Sequence, residues 1–498
     1  MSFGTESDNH MSQKLKVLFV ASEAAPLVKT GGLADVAFAL PRALNAQGHD
    51  VRVAIPCYGS IPEAYRGDLR GTCFVNVDSR TQFGAWRESH LPGTNVKAYL
   101  VEHEGYFNRP HPYFQNGNEY GDNLERFCFF CMGVLDSVAQ TGWRPDIVHC
   151  NDWHTAVVPA YLKTRLAEHP FWKGVASLLT IHNIRYQGRY SAGLLPKTGL
   201  DPSLFTPECL EFYGDINLLK AGIKFASKIN TVSRTYAREI QTPAYGHGLD
   251  GFLRTRRADL VGIVNGVDYE AWDPASDPHV PVKFFLDDLS GKRQCKELLQ
   301  REQGLPGCEA PLFVMVSRLV WDKGLDLVTN ALDRLLLEDL QLVILGTGDP
   351  HYERTLECWT ARAPDKIRVI LAHDEALAHR LYAAADFFLM PSLTEPCGLS
   401  QMYALRYGAV PIVRKTGGLA DTVVDASPAN IMKGTATGIV FRPPSAEALV
   451  RGVFRALRLY AEPEVLKKVR HAGMSADFSW ERASRAYVDL YRKAMADS

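Results

Sequence analysis

Two positively charged side chains follow a short apolar run in the second half of the chain. Arg318 and Lys323 stand five residues apart, after the run LFVMV. α/β proteins bind ligands at the carboxyl ends of buried parallel strands, where this spacing would place both side chains. Together they could neutralise a diphosphate leaving group. Spacing alone is equally compatible with two solvent-exposed side chains.

A carboxylate lies close to a predicted helix start further along the chain. In PSLTEPCGLSQ, Glu395 follows an apolar run, and Gly398, Leu399 and Ser400 open the helix. A carboxylate is a poor neighbour for phosphate unless it binds hydroxyl groups, which sugars and ribose supply. The alternative is that Glu395 caps the helix N-terminus.

Polar residues also follow two apolar runs in the first half. His182 comes directly after SLLTI, and Asp152 follows DIVHC by one residue. A single histidine at a strand end is usually structural. Two polar strand ends of one parallel sheet would face the same cleft, however, which favours a functional site for both.

One seven-residue sequence occurs twice. KTGGLAD stands at Lys29–Asp35 and again at Lys415–Asp421, each time after a predicted strand and at the start of an apolar-periodic helix. Duplication and convergence on one loop geometry both explain the identity. Backbone N–H groups at such a Gly-Gly turn, with the helix dipole, can receive an anion. The spacing differs from G-x-G-x-x-G and from Walker A, so it favours neither a dinucleotide oxidoreductase nor a P-loop NTPase.

Apolar runs that alternate with helical patterns predict the elements that position these residues. They indicate βαβ units and doubly wound parallel sheets in an α/β protein. Gly266–Lys283 has no clear periodicity and several prolines, which predicts a domain boundary before or within it. The predicted strands are Lys16–Ala21, Asp146–Cys150, Ser177–Ile181, Lys228–Val232, Leu312–Val316, Leu342–Leu345, Ile367–Leu371, Phe387–Met390 and Val410–Val413.

Composition narrows the class of protein. The 498 residues are 46% hydrophobic, and their net charge of −1 argues against a general nucleic-acid binder. The first residues contain no apolar signal region, and no run approaches the ~18 apolar residues of a membrane span. Ten irregularly spaced cysteines suit free thiols in a reducing cytoplasm, and no metal-binding cluster stands out. We therefore expect a cytoplasmic protein without metal, cofactor, membrane or nucleic-acid partners.

Taken together, the motifs resemble those of bacterial glycogen synthases and plant starch synthases, in order from about Lys16 to the end. That resemblance implies the GT-B fold, in which two Rossmann-like doubly wound domains face a central cleft and a C-terminal helix crosses back to the first domain. On this basis we expect domains at 12–262, with the helix 477–498, and at 263–476. The motifs are KTGGLADV, HNIRYQGRY, GIVNGVDYEAWDP, SRLVWDKGLDL, GTGD, AHRLYAAADFFLMPS, EPCGLSQMYALRYGAVPIVRKTGGLADTV and DFSWERASRAY.

The resemblance also implies roles for individual residues. Arg318 and Lys323 match the diphosphate pair, His182 the active-site histidine, and Glu395 a residue beside the transferred sugar. Further residues match family positions that bind the sugar nucleotide or glucose, and Asn265 matches a position at the interdomain cleft. These binding residues are Lys29, Gly31, Gly32, Asp152, Asn183, Asn265, Cys397, Gly398, Leu399 and Ser400.

The activity implied is retaining transfer of glucose from ADP-glucose to the non-reducing 4-hydroxyl of an α-1,4-glucan. No carboxylate is well placed as a nucleophile, so we favour attack on the same face over a covalent intermediate. Leu393 and Thr394 replace the usual Arg-Phe, and His373 replaces a common aromatic residue that can stack on the base. These departures keep two alternatives open: a catalytically impaired glucan- or nucleotide-sugar-binding protein, and a GT-B synthase that uses UDP-glucose.

Overall fold

The computed structural model describes residues 13–78, 80–115 and 117–498. The chain divides into two compact units. The first runs through Val232, resumes at Ala237–Gly266 and includes Trp480–Ser498, while the second consists of Ser233–Tyr236 and Val267–Ser479. The observed divisions thus follow Gly266 and Ser479, where the sequence led us to expect divisions after residues 262 and 476.

The first unit is built on a nine-stranded sheet with the order β14-β13-β9-β8-β1-β2-β5-β4-β3. Its strands and those of two small sheets are β1 Lys16–Val20, β2 Asp50–Pro56, β3 Asp68–Val77, β4 Arg80–His90, β5 Lys97–Glu102, β6 Phe114–Gln115, β7 Asn118–Glu119, β8 Ile147–Asn151, β9 Ala176–Ile181, β10 Arg189–Ser191, β11 Glu211–Phe212, β12 Asp215–Asn217, β13 Lys228–Thr231 and β14 Leu260–Gly262. The helices of this part of the chain are α1 Gly32–Ala46, α2 Glu63–Arg66, α3 Glu104–Phe107, α4 Asn123–Gln140, α5 Val157–Lys163, α6 Leu218–Phe225, α7 Arg234–Glu239 and α8 Asp250–Thr255.

Burial explains which strands lie in the middle of this sheet. Strands β8 and β9 are buried at every residue and pair in parallel with their neighbours, as expected for apolar strands covered on both faces. Strands β3 and β4 pair antiparallel at one end of the sheet, and the second half of the edge strand β3 alternates between exposed and buried residues. The order of strands reverses between β1 and β8, so the carboxyl ends of these two strands form a topological switch point.

The second unit is built on a six-stranded parallel sheet with the order β17-β16-β15-β18-β19-β20. In chain order this is 3-2-1-4-5-6, the order of a Rossmann fold, with its switch point between β15 and β18. Its strands are β15 Leu312–Val316, β16 Gln341–Leu345, β17 Ile367–Ile370, β18 Phe387–Met390, β19 Val410–Arg414 and β20 Ile439–Phe441. The remaining helices are α9 Ser290–Glu302, α10 Leu325–Thr329, α11 Leu332–Leu335, α12 Pro350–Arg362, α13 Glu375–Ala384, α14 Ser400–Arg406, α15 Gly417–Thr422, α16 Pro428–Met432, α17 Ala446–Tyr460, α18 Pro463–Met474 and α19 Trp480–Ala496.

Two apolar cores of the second unit lie on opposite faces of this sheet, because alternate residues of β15 and β16 belong to different cores. Phe313 and Ile344 belong to the core that includes α10, α11 and α17, whereas Val314 and Val343 belong to the core that includes α9 and α13. Helices on both faces define a doubly wound α/β unit, as the sequence predicted.

Helix α19 packs on the first unit although it follows the second in sequence. Two of its tyrosine side chains, Tyr487 and Tyr491, are fully buried. The Tyr491 hydroxyl lies 2.8 Å from Nδ1 of His149, and Asn230 donates to the Tyr487 hydroxyl over 3.2 Å. These bonds attach the helix to strands β8 and β13. Across the described residues, none of the helices combines the length and the apolar character that a membrane span requires.

Candidate active site

A cavity of about 190 Å³ opens at the switch point of the second unit. Arg318 and Lys323 both line it, so the structure brings together the two cations that follow β15. Its other lining residues come from the ends of β15 and β18 and from the segments that follow them: Met315, Val316, Ser317, Leu389, Met390, Ser392 and Ser400. The cavity therefore lies where an open α/β sheet binds ligands.

Glu395 is joined to the cationic side of this cavity. Its Oε2 accepts hydrogen bonds from Lys323 Nζ at 2.7 Å and from the Ser392 hydroxyl at 3.0 Å, and the residue is only 6% exposed. Helix α14 begins without any side-chain cap. Glu395 is thus the partner of Lys323 and does not act as a helix cap.

A glycine permits the close approach that forms this ion pair. Gly324 has φ of +75°, and a Cβ at this position would lie 2.3 Å from the carbonyl oxygen of Pro391. A larger residue would therefore push the Lys323 turn away from the end of β18. Glycine at position 324 thus allows Lys323 to lie close enough to Glu395 to form the ion pair.

The segment Glu395–Gly398 rests on the second KTGGLAD copy. The Gly418 amide donates to the carbonyl oxygens of Glu395 and Pro396, both at 3.1 Å, and both glycines of the copy are buried. A Cβ on Gly417 would lie 1.9 Å from the Glu395 carbonyl oxygen. The sequence led us to expect that each Gly-Gly turn can receive an anion, but in the second copy the Gly418 amide binds the protein itself and is not available for one.

Arg414 also holds the segment that leads to Glu395 by hydrogen bonds to its backbone. This residue was not identified from the sequence. Its Nε donates to the carbonyl oxygen of Ser392 at 2.8 Å, and its Nη2 donates to that of Leu393. The residue is 6% exposed and stands at the end of β19. The available signal was a charged residue at the end of the otherwise apolar run VPIVR.

In the first unit, Asp152 organises the segment after β9. Its Oδ1 accepts from the backbone amides of His182 at 2.7 Å and Asn183 at 3.4 Å. Asp152 has φ of +55°, in the left-handed region that few non-glycine residues adopt. Burial raises the pKa of Asp152 to about 7, although both amide bonds oppose that rise. The two polar strand ends predicted to lie together do so.

The His182 ring is partly buried and neutral. Its Nε2 lies 2.9 Å from Oδ1 of Asn151, the last residue of β8. Burial lowers the pKa of His182 to about 3, because charge is costly where water is excluded. At neutral pH this side chain therefore acts as a hydrogen-bonding group and not as a cation.

The first KTGGLAD copy lies open at the start of α1. Gly31 and Gly32 are exposed, and a Cβ on either would meet nothing within 4 Å. Lys29 Nζ pairs with Asp35 at 2.9 Å. Glu23, which follows β1 and was not singled out from the sequence, accepts from the amide and hydroxyl of Thr30 at 2.6 and 2.7 Å. Burial raises its pKa to about 7.

The remaining predicted residues differ in their surroundings. Asn265 is 6% exposed, and its Oδ1 is buried without a hydrogen-bond partner among the described residues. Cys397 is buried beside Gly398, which has φ of +72°. His373 is exposed, and it follows β17 at the carboxyl edge of the second sheet. No cluster of three or more His, Cys, Asp or Glu suited to a metal ion occurs in the described ranges.

Two Rossmann-like units, one with cations at its switch point, define the class of GT-B glycosyltransferases, and comparison with known proteins agrees. Residues 16–255 match the starch synthase catalytic domain, and residues 297–471 match glycosyl transferases group 1. The structure resembles the catalytic domain of starch synthase IV from Arabidopsis thaliana bound to ADP and acarbose. That likeness has a TM-score of 0.88 and 34% identity over 97% of this chain and all of the other.

Curated relatives identify the family. The glycogen synthase of Moorella thermoacetica is 45% identical over 97% of this chain and 98% of its own length. Glycogen synthase 1 of Methylococcus capsulatus is 46% identical over 97% of both chains. The chain therefore belongs to the glycogen synthase family and is a glycosyltransferase. The predicted family, the GT-B fold and the class of enzyme are confirmed, while the individual site residues stay predictions.

Proposed function

We propose that this protein transfers glucose from ADP-glucose to the non-reducing 4-hydroxyl of an α-1,4-glucan and retains the α configuration. The observation that carries the proposal is the cavity at the β15/β18 switch point, where Arg318 lies with the Lys323–Glu395 ion pair. Two cations suit a diphosphate, and a buried carboxylate suits sugar hydroxyl groups. The ADP and acarbose bound to starch synthase IV support the same ligand classes.

In the second unit, Arg318 and Lys323 would stabilise the departing diphosphate by preorganised charge. The backbone amides of Leu399 and Ser400, after the turn at Gly398, would bind the same phosphates. Binding of the donor would draw Lys323 towards phosphate and leave Glu395 able to accept a sugar hydroxyl. Cys397 would lie beside that sugar.

In the first unit, His182, Asn183 and Asp152 would contact the transferred glucose. Lys29, with the exposed turn at Gly31 and Gly32, would bind the sugar nucleotide. Asn265, whose buried Oδ1 lacks a partner in the described part of the chain, would bind a ligand hydroxyl.

The surroundings of Asp152 support same-face attack by the acceptor. Its Oδ1 is occupied by hydrogen bonds from two backbone amides, which makes Asp152 a poor nucleophile. The described residues of the first sheet edge place one further buried carboxylate there, Glu23, whose Oε2 is held by Thr30. We infer that no covalent glucosyl-enzyme forms.

The donor base is a finer part of the proposal. ADP-glucose is our preferred donor, and UDP-glucose is the second candidate because His373 offers a smaller ring for stacking than the common aromatic residue. The kcat/KM for both donors, measured on the wild type and on His373→Tyr, tests this choice. We expect a preference for ADP-glucose and a lower KM in the variant. A preference for UDP-glucose would overturn the donor assignment.

Arg318→Ala and Lys323→Ala test the site itself. Each should lower kcat by roughly 10²–10³, the effect of removing one preorganised partner of a transition-state charge. Arg354→Ala, an exposed residue of α12, is the control and should leave turnover unchanged. Near-normal kcat in either site variant would contradict the diphosphate role. Absence of transfer by the wild type with either donor would favour the impaired binding protein instead.

We also propose that the protein works in the cytoplasm. All ten cysteines are free thiols, which a reducing compartment preserves. The sequence gives no reason to expect a nucleic-acid or membrane partner. The substrates would be the sugar nucleotide and the glucan.

A further inference from the structure

Asn151 has an orientation that its neighbours determine. The residue ends β8 and is fully buried. Its Nδ2 lies 3.0 Å from the carbonyl oxygen of Val20 and 3.4 Å from that of His149. Carbonyl oxygens only accept hydrogen bonds, so the NH₂ group must occupy this side of the carboxamide. The side-chain oxygen therefore faces the opposite way, towards His182.

That orientation determines which nitrogen of His182 carries the proton. Oδ1 of Asn151 lies 2.9 Å from Nε2 of His182, and an amide oxygen has no proton to give. The bond therefore requires a proton on Nε2. The ring is neutral and carries one proton, so Nδ1 keeps its lone pair. Among the described residues, the hydrogen bond of the His182 ring is made by Nε2, and Nδ1 makes none.

A second buried histidine, His149, lies next to Asn151, and its hydrogen bonds also determine its tautomer. The Thr180 hydroxyl donates to Oδ1 of Asn230, so it must accept from Nε2 of His149, which lies 2.5 Å away. Nδ1 of His149 then accepts from the Tyr491 hydroxyl. This second buried imidazole is also fixed in one tautomer, and its backbone carbonyl is one of the acceptors that orient Asn151.

We propose that Asn151 is a positioning residue that fixes His182 as the Nε2–H tautomer and so presents Nδ1 as an acceptor for a hydroxyl group of the donor sugar. The proposal rests on the proposed function for the identity of that hydroxyl. A ring with the opposite tautomer would direct an N–H at the ligand and would lose its hydrogen bond to Asn151. The carboxamide thus determines whether His182 can accept a bond from substrate.

The nitrogen shifts of His182 in the full-length protein labelled with ¹⁵N-histidine test the tautomer directly. The His182 signals are assigned by their absence in His182→Gln. We expect a protonated Nε2 and an unprotonated Nδ1, unchanged between pH about 5 and about 8. A protonated Nδ1, or a titration near pH 6.5, would overturn the proposal. The titratable neighbours are Asp152, which bonds the His182 amide, and the buried His149.

Two variants of Asn151 extend the test. Asn151→Asp is isosteric and places a carboxylate beside Nε2, so His182 should become an imidazolium within that pH range. Asn151→Leu removes the acceptor, so Nε2 should no longer be favoured and kcat should fall roughly tenfold. Cys150→Ala, a buried neighbour on β8, controls for packing and should change neither the shifts nor kcat.

The outcomes separate the two proposals. An unchanged tautomer in folded Asn151→Leu would overturn the role of Asn151, whatever the activity. The shifts need no substrate, so they remain decisive if glucose transfer is absent. Failure of transfer by the wild type with both donors, together with the expected shifts, would contradict the proposed function alone.

Discussion

The two copies of KTGGLAD fold into different surroundings. In Lys29–Asp35 both glycines are exposed, and space is open around them. In Lys415–Asp421 both glycines are buried, and a Cβ on either would lie 2.0 Å or less from a carbonyl oxygen of the segment 395–397. The same letters thus provide an accessible turn in one unit and a scaffold for a loop in the other.

The comparison shows what the Gly-Gly pair contributes. Without a Cβ, a backbone can come close to another group, but the sequence does not specify which group that is. In the second copy the group is the protein's own loop, which carries Glu395 to Lys323. In the first copy the space beside the glycines is open, and we propose that the sugar nucleotide binds there. Four predictions test this difference, in order of decreasing effect.

Of these four changes, Gly418→Ala should be the most disruptive. The new methyl group would lie 2.0 Å from the carbonyl oxygen of Cys397, so backbone must move, and the free energy of unfolding should fall by roughly 3 kcal/mol. The matching Gly32→Ala should change stability by less than about 0.5 kcal/mol. Urea unfolding of both variants measures this. Equal losses of stability would contradict the contrast.

Lys29→Ala should lower kcat/KM for the sugar nucleotide by roughly ten- to hundredfold. Loss of a hydrogen bond to a charged phosphate typically costs about 1.5–3 kcal/mol. Lys415→Ala removes the exposed lysine of the other copy and should leave kcat/KM within about twofold. Steady-state kinetics on both variants decide. A larger effect of Lys415→Ala than of Lys29→Ala would contradict the assignment of the sugar nucleotide to the first copy.

Asp421→Ala should loosen the start of α7. The Asp421 carboxylate accepts hydrogen bonds from the Thr235 backbone amide at 2.8 Å and from the Thr235 hydroxyl at 2.6 Å, as the side chain of an N-terminal cap does. Its loss should destabilise this turn by about 1–2 kcal/mol. Faster hydrogen exchange of the amides in 234–239 would show it. Asp35→Ala, which removes a half-exposed ion pair with Lys29, should leave that exchange unchanged.

Thr30→Val should produce the smallest effect, a shift in the titration of Glu23. The Thr30 hydroxyl stabilises the ionised carboxylate, so its removal should move the pKa of Glu23 above its value of about 7. ¹³C shifts of the carboxyl group report it. Thr416→Val in the other copy is the control. An unmoved midpoint in Thr30→Val would show that the hydroxyl does not act on Glu23.

The same shift fixes the sign of a stability change. Folding raises the pKa of Glu23 from the ordinary value of 4.5 to about 7. The contribution of Glu23 to the free energy of unfolding is therefore fully present below about pH 4.5 and is lost as pH rises through about 7. In Thr30→Val the loss should continue to higher pH.

Sequence patterns located nine strands of the two large sheets. All nine predicted strands are present, and most ends agree within one residue, because a continuous apolar run identifies a strand buried on both faces. Strands β2 to β5 of the first sheet escaped prediction, because charged residues such as Arg52 interrupt β2 and many residues of β3 and β4 are exposed. Charged or exposed residues within a strand break the continuous apolar run on which these predictions depended.

Within the candidate site, the residues at strand ends were predictable from position alone. Their partners were not. The Lys323–Glu395 pair joins residues 72 positions apart, and the bonds of Asp152 and Asn151 to the His182 segment join residues about 30 apart. Such pairings depend on strand order, which no single segment encodes. The burial of the second KTGGLAD copy has the same origin.

Helix α19 has a consequence for how the chain is assembled during synthesis. The hydroxyl groups of Tyr487 and Tyr491 complete the bonds of Asn230 and His149 in the first unit, yet the ribosome makes them only after the whole of the second unit. A nascent chain halted before residue 480 would therefore hold a first unit whose buried polar groups lack partners. The first unit can therefore complete these buried hydrogen bonds only after the C-terminal end of the chain has been synthesised.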